Sequence, residues 1–457
     1  MANEVAAIGQ EDIAKQAYGK VAGNRWIQLV CGVIAMIVIS NYQYAFTLFT
    51  PGMRQSFPGV PYAKIAAIFS AFILFETWLS PVSGYFVDRF GIRKLMAIGA
   101  VLIGLGWVLG GTIAHSIFHL YLYYGVIAGT GAGVIYISCV ANAVKWFPDK
   151  RGLAAGLTAA GFGGGAALTI MPIASSINNI GWASTMAIWG AAQGVIALIA
   201  AMMLRHPPAG WVPVGWDPEK KKSKTGVVQS KVNFTWTQTL RRPEFYLLYV
   251  MFLFAMMGGL IATANLSQIA KSLNVSNAKV LGLAIIPLTA TLASAFNALS
   301  RIAWGTISDK LGRENTMFVS FGAEAILVFL VTKIAGSPIA FVVLFSLIFL
   351  FWGEVYSLFS AATGDVFGSK NATGNYGMMY TAKGLASILA GFGAAALAAY
   401  FAGSFAVSFY ASSVLCGVAS LFALFVLKPL VRARIAREVP VATQAVGKAR
   451  GAAAGGS

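Results

Sequence analysis

Along this chain, long apolar runs alternate with short polar breaks, and a helix needs roughly 20 mostly apolar residues to cross a bilayer. Twelve such runs can be read. They predict spans near 26–49, 64–86, 94–114, 119–144, 153–176 and 182–204, then near 243–270, 280–305, 315–334, 338–363, 373–400 and 402–427. Residues 205–242 between the two sets are polar, contain proline and carry Lys220, Lys221, Lys222 and Lys224, the pattern of a solvated linker. The expected organisation is an all-α membrane protein with two six-helix sets. A leading segment 1–25 comes first, then six spans over 26–204, the linker 205–242, six spans over 243–428 and a tail 429–457. No compact apolar stretch precedes Arg25, so no cleavable leader is expected, and Gly451 to Ser457 read as low complexity.

Composition supports the same class. Of 457 residues, 58% are apolar and 11% charged, with a mean hydropathy of +0.73, against about 25% charged in soluble domains. The formal charge of +18 raises the question of nucleic acid. Position answers it: 26 of the Lys and Arg residues fall in segments on the side of the N-terminus and five on the other. That bias sets both termini in the cytoplasm and accounts for the charge without a nucleic acid. Cys31, Cys139 and Cys416 lie within apolar runs and lack CxxC spacing, which speaks against a disulfide framework or a zinc site. His115, His119 and His206 fall at an outer loop and a span end, and no catalytic triad or metal cluster lies outside the spans. Neither an enzyme nor a cofactor is expected.

One motif occurs twice. Gly84, Asp88, Arg89, Gly91, Arg93 and Lys94 follow span 2; Gly305, Asp309, Lys310, Gly312 and Arg313 follow span 8, 221 residues later. The glycines permit close helix approach. The acids and bases can make charge-assisted contacts to helix ends, forming a latch from Gly84, Asp88, Arg89, Arg93, Asp309 and Arg313. A parallel duplication of this kind puts a substrate site between the two sets near the midplane. With this repeat, the sequence resembles the major facilitator superfamily. Two glycine clusters, Gly129-Thr-Gly131-Ala-Gly133 and Gly161-Phe-Gly163-Gly-Gly165, lack the strand and acid of a nucleotide-binding turn and read as helix packing.

Two cations stand within spans. Arg301 and Lys383 fall near the midplane of spans 8 and 11, where an ionisable group costs about 2.5–3.5 kcal/mol on insertion scales. Each must face a wet cavity or an anion, or pair with Glu76, Glu324 or Glu354. Trp352 and Tyr356 share a helical face, from which Glu354 points away. Asn297 stands one turn before Arg301 and Tyr380 three residues before Lys383. If the cations are uncompensated, they form a receptor for a small carboxylate, and a divalent one would match both. Such a cavity resists closing while empty, which favours exchange of one anion for another.

The resemblance then narrows to the oxalate/formate antiporter branch, near the bacterial monocarboxylate transporters. It rests on Asn41-Tyr-Gln43-Tyr44, Trp146-Phe-Pro-Asp-Lys-Arg-Gly152, Arg301, Trp352-Gly-x-x-Tyr356 and Asn375-Tyr-Gly-Met-Met-Tyr380-Thr-Ala-Lys383. It implies a site of Arg301 and Lys383 with Gln43, Tyr136, Phe162, Asn297, Trp352, Tyr356 and Tyr380 around them. It also implies a monomer in a bacterial inner membrane, with lipid and a small carboxylate as its only partners. Where many monocarboxylate transporters offer an acid in span 8, this chain has Asn297, so proton coupling as the alternative function would fall to the substrate or to Glu76.

Overall fold

The computed structural model describes residues 23–208, 211–213, 230, 232–368 and 371–437. The segment 1–22, the linker lysines Lys220, Lys221, Lys222 and Lys224, and the tail 438–457 lie outside the described residues. Among the described residues, twelve helices are long and apolar enough to cross a membrane. Spans 1 to 6 are Arg25–Tyr44, Tyr62–Ser83, Ile92–Thr112, Ile117–Trp146, Leu153–Ile180 and Trp182–Met203. Spans 7 to 12 are Pro243–Ser272, Ile285–Leu311, Arg313–Ile334, Pro338–Phe367, Gly374–Tyr400 and Ala406–Arg437.

Burial repeats every third span. In spans 1, 4, 7 and 10 the buried shares are 61, 72, 67 and 67%, against 44, 33, 39 and 33% in spans 3, 6, 9 and 12. The first group therefore lines the centre and the second forms the flanks. Flank residues such as Ile188, Val195, Ile199, Phe329 and Leu421 are exposed and apolar, as a lipid-facing surface requires. The first six and last six spans meet along two seams, span 2 on span 11 and span 5 on span 8.

Small residues set how closely the helices approach. A methyl at Gly129 would lie 2.6 Å from the Phe72 carbonyl oxygen, and one at Gly131 2.7 Å from that of Gly99. The glycine cluster of span 4 thus does the packing read from the sequence. The duplicated motif is the last turn of a helix rather than a loop. Helix Ser80–Phe90 ends at Gly91 with φ 87°, and span 8 ends at Gly312 with φ 87°, a conformation that glycine adopts without strain.

The bounds of spans 1, 8 and 12 need correction: span 1 ends at Tyr44 and not near 49, and span 8 continues to Leu311, past 305. Span 8 begins at Ile285 and not near 280, because Lys279–Val280 pairs with Leu283–Ala284 in a two-residue hairpin. Leu281 and Gly282 at its tip both have positive φ, 52° and 77°, as a type I′ turn needs. Span 12 continues to Arg437 because Lys428, Arg432 and Arg434 extend the helix past its apolar part, where charge ends a hydropathy run but not a helix.

Candidate functional site

Two clusters, one on each seam, meet at the centre. On the seam of spans 5 and 8, Arg301 is almost completely buried (1% exposed). Its Nε donates to Asn297 Oδ1 at 3.2 Å, one helical turn away, and one terminal nitrogen donates to the Ala159 carbonyl of span 5 at 2.9 Å. The other terminal nitrogen has no hydrogen-bond partner, and no acid pairs with Arg301 among the described residues. The guanidinium carbon lies 4.1 Å from the centre of the Tyr356 ring and 5.8 Å from that of Phe162. Such a desolvated cation–π contact contributes about 2 kcal/mol. Span 5 comes this close because it carries glycine: a methyl at Gly163 would sit 2.8 Å from Arg301 Nε. Asn297 in turn donates through Nδ2 to the Tyr44 hydroxyl at 2.7 Å, tying span 8 to the end of span 1.

On the seam of spans 2 and 11, Lys383 is fully enclosed, and the expectation of two uncompensated cations fails here. Its Nζ lies 2.9 Å from Glu76 Oε2 and 3.1 Å from Oε1, and both side chains are 0% exposed. Nζ also donates to Gln43 Oε1 at 2.9 Å and to the Tyr380 hydroxyl at 3.1 Å, while that hydroxyl donates to Glu76 Oε1 at 3.2 Å. The physical reason is reach. Gly133 of span 4 lets that helix press on the Glu76 backbone, which holds the carboxylate directly opposite Lys383. An ion pair enclosed this way is cheaper than an isolated buried ammonium. Lys383 still shares its walls with Arg301, standing 5.2 Å from the Phe162 ring centre and 5.5 Å from that of Tyr356.

Of the aromatic residues expected around the cations, Tyr136, Phe162, Tyr356 and Tyr380 are there. Tyr136 stacks on Tyr380 at 5.1 Å with 7° between planes and meets Phe162 edge-on at 5.3 Å. Trp352 stands one ring further back: it packs edge-on against Tyr356 at 5.4 Å and donates to the Met256 carbonyl at 3.2 Å. Its ring fills the space above Gly259 of span 7 and so fixes the ring of Tyr356. Sequence reasoning left out Tyr44 and Tyr376, although both lie in quoted motifs. Tyr376 lies 5.8 Å from Tyr380 and donates to the Tyr356 carbonyl at 3.2 Å. Their spacing from Gln43 and Tyr380 was the available signal. Glu354 points away from Arg301 to Ser300, as its helical phase indicated.

The latch residues divide. In the second copy Arg313 pairs with Asp309 at 2.8 Å and with Asp365 of span 10 at 2.9 Å, so it ties spans 8, 9 and 10 together. In the first copy the surroundings of Gly84 and of the Asp88 side chain lie outside what is described. Arg93 is exposed, and Arg89 stands 5.7 Å from the Phe90 ring centre.

This arrangement has one fixed positive charge in excess, on Arg301, with an unused donor beside it and aromatic walls around it. It can hold a small anion and exclude a bulky one. Residues 29–391 and 288–452 match the family model described as Major Facilitator Superfamily. The chain is 33% identical over 407 residues to the "Oxalate:formate antiporter" of Oxalobacter formigenes, covering 89% of this chain and 92% of that protein. It is 27% identical to "Uncharacterized MFS-type transporter YhjX" of Escherichia coli (80% and 86% covered). It is 24% identical to "Monocarboxylate transporter 12" of Xenopus laevis (71% and 72% covered).

Proposed function

The chain belongs to the Major Facilitator Superfamily as a multi-pass membrane transporter and not an enzyme, and from that premise we propose that it exchanges small carboxylate anions. Residues 26–204 and 243–428 act as two six-helix bodies that rock about the site, with 205–242 as their linker and both termini in the cytoplasm of a bacterial inner membrane. The observation that carries the reading is Arg301, enclosed without an acid and with one guanidinium nitrogen unpartnered. A carboxylate accepts from that nitrogen and neutralises the charge, while Tyr356 and Phe162 limit its size. Lys383 shares those two rings with Arg301, and Gln43 accepts from Lys383.

The Glu76–Lys383 pair sets the charge class. With it formed, the site holds a net charge of one, which a monocarboxylate such as formate balances. A dianion such as oxalate balances it only with a proton on Glu76. Similarity to a protein named Oxalate:formate antiporter supports exchange between two such anions. A second reading, proton-coupled monocarboxylate transport, is favoured by Glu76 itself, a titratable group in contact with Lys383.

Counterflow in proteoliposomes separates the two. Labelled oxalate or formate should enter only vesicles preloaded with a carboxylate, and an imposed pH gradient without internal anion should drive negligible uptake. Uptake driven by the gradient into empty vesicles would replace exchange by proton coupling.

A further inference from the structure

Two buried acids take no part in the site around Arg301. Glu354 sits where span 10 passes from helix Pro338–Trp352 to helix Val355–Phe367, and Glu324 lies midway along span 9; both are 0% exposed. Glu354 Oε2 accepts from the Ser300 hydroxyl of span 8 at 3.1 Å, and Glu324 Oε2 from the Cys416 thiol of span 12 at 3.5 Å. Among the described residues, the other oxygen of each carboxyl has no hydrogen-bond partner within 3.5 Å, and neither has the buried hydroxyl of Ser412. Ser320, one turn before Glu324, lies beside Glu354. A methyl on Gly258 of span 7 would meet Glu324 Oε1 at 3.0 Å and Ser412 Oγ at 3.3 Å. Unsatisfied oxygens from spans 9 and 12 therefore meet against the backbone of span 7, and Ser320 links Glu354 of span 10 to the same stretch of span 9.

No base pairs with either acid among the described residues. The titratable groups around them are each other and Cys416. Span 7 has none between Tyr249 and Lys271. On span 8 the neighbour of Ser300 is Arg301, whose guanidinium is engaged by Asn297, Ala159 and Tyr356. Carboxylates enclosed without a counter-charge neutralise instead, and an intramembrane acid is a functional site by default.

We propose that Glu324 and Glu354 form a proton-binding site whose proton promotes carboxylate binding at Arg301. A proton turns one carboxyl into a donor and gives the unsatisfied oxygens partners. It also needs no space beside Gly258, which a larger cation would. Coupling runs through two short paths: Ser300, held by Glu354, adjoins Arg301, and Tyr356, which covers Arg301, is two residues from Glu354. When the acids are ionised, negative charge behind span 8 opposes an incoming anion; when the proton is bound, that opposition is gone. Proton and carboxylate then favour each other by the same factor. The coupling rests on the reading of Arg301 as the carboxylate site, but the proton site does not.

Infrared difference spectra between acid and alkaline pH test the proton site without substrate. A carbonyl band of a protonated carboxyl, shifted in D2O, should lose intensity in Glu324→Gln and Glu354→Gln. Glutamine matches the protonated acid in shape, and thermal unfolding verifies that both variants fold. A band unaltered in both variants overturns the site. Calorimetric titration with formate and with oxalate across a pH series tests the coupling. Kd should rise by up to about tenfold per pH unit on the alkaline side with proton uptake on binding, and Glu354→Gln should hold Kd at its acid value. Dependence that survives in Glu354→Gln overturns the coupling. So does a formate Kd that responds to Na+ in place of K+ at fixed pH, since sodium would then be the occupant. If neither anion binds and Arg301→Lys changes nothing, the carboxylate reading falls while the infrared result stands on its own.

Discussion

Replacing Glu76 by Gln removes one charge from a pair whose members are both 0% exposed and 2.9 Å apart. At that separation and an effective dielectric of about 20, the attraction is about 6 kcal/mol. Measured losses on breaking buried pairs run about 3–5 kcal/mol, because the surviving charge stays enclosed. Lys383 keeps Gln43 and the Tyr380 hydroxyl as acceptors, which offsets part of the loss and places the expectation at the lower end, about 3 kcal/mol. The net charge of the site rises by one, so the preferred ligand should change from monovalent to divalent. Thermal unfolding in detergent, with formate and with oxalate, measures both effects. Glu76→Gln should unfold earlier without ligand and recover more with oxalate than with formate, where the unaltered protein shows the smaller oxalate preference. A ligand at about 100 times its Kd adds about 2.7 kcal/mol, enough to restore most of the loss. The double variant Glu76→Gln, Lys383→Met should recover stability without any ligand, since neither charge is left alone. An unchanged melting temperature and an unchanged oxalate-to-formate ratio in Glu76→Gln would refute the pairing and the charge argument built on it.

Arg301→Lys keeps the charge but loses the planar fork that faces Tyr356, Asn297 and Ala159; at about 1.5–3 kcal/mol per charge-assisted bond, carboxylate Kd measured by calorimetry should rise about 10- to 100-fold. Gly163→Ala forces a methyl to within 2.8 Å of Arg301 Nε; counterflow should fall at least about tenfold while membrane insertion, read by detergent-extracted yield, stays near normal. Asp365→Asn removes one of the two acids on Arg313, and the other, Asp309, has a side chain 53% exposed. The loss in stability should be about 1 kcal/mol, seen as a small drop in melting temperature, with transport slowed and carboxylate Kd unchanged.

Hydropathy made nine of the twelve spans legible to within a few residues, because an unbroken apolar run of bilayer length has few other uses. It misplaced the end of span 1, both ends of span 8, where Leu281 is apolar but sits at a hairpin tip, and the end of span 12, where charged residues remain helical. The site was legible as a set of residue types: Gln43, Asn297, Arg301, Tyr356, Tyr380 and Lys383 meet as their motifs imply. What could not be read was which acid reaches which base. Glu76 and Lys383 are 307 positions apart and belong to different sets of six spans, and nothing in either local sequence records the glycine on span 4 that brings them together. The depth of Trp352 was unreadable for a related reason: helical phase gives the face a ring occupies, but not that Tyr356 packs edge-on against it.

The pair also changes the argument for exchange. Two bare cations would each have opposed closure of the empty chamber. With Lys383 bound to Glu76, that pair bridges span 2 and span 11, and it adds to a seam where Ser70 and Ser387 exchange hydroxyl-to-carbonyl bonds at 2.6 and 3.2 Å. This seam holds the halves together with or without substrate. Arg301 remains the charge that penalises an empty, closed chamber, and it lies on the other seam, where spans 5 and 8 touch through Gly163 and the Ala159 carbonyl. On the proposed exchange, rocking that opens the span 5–span 8 seam would strip Arg301 of that carbonyl and wet it, closing would bury the charge again, and a bound carboxylate would remove the penalty. On that reading the two seams divide the work: one is charge-balanced without ligand, and a single guanidinium without an acid makes the other depend on cargo.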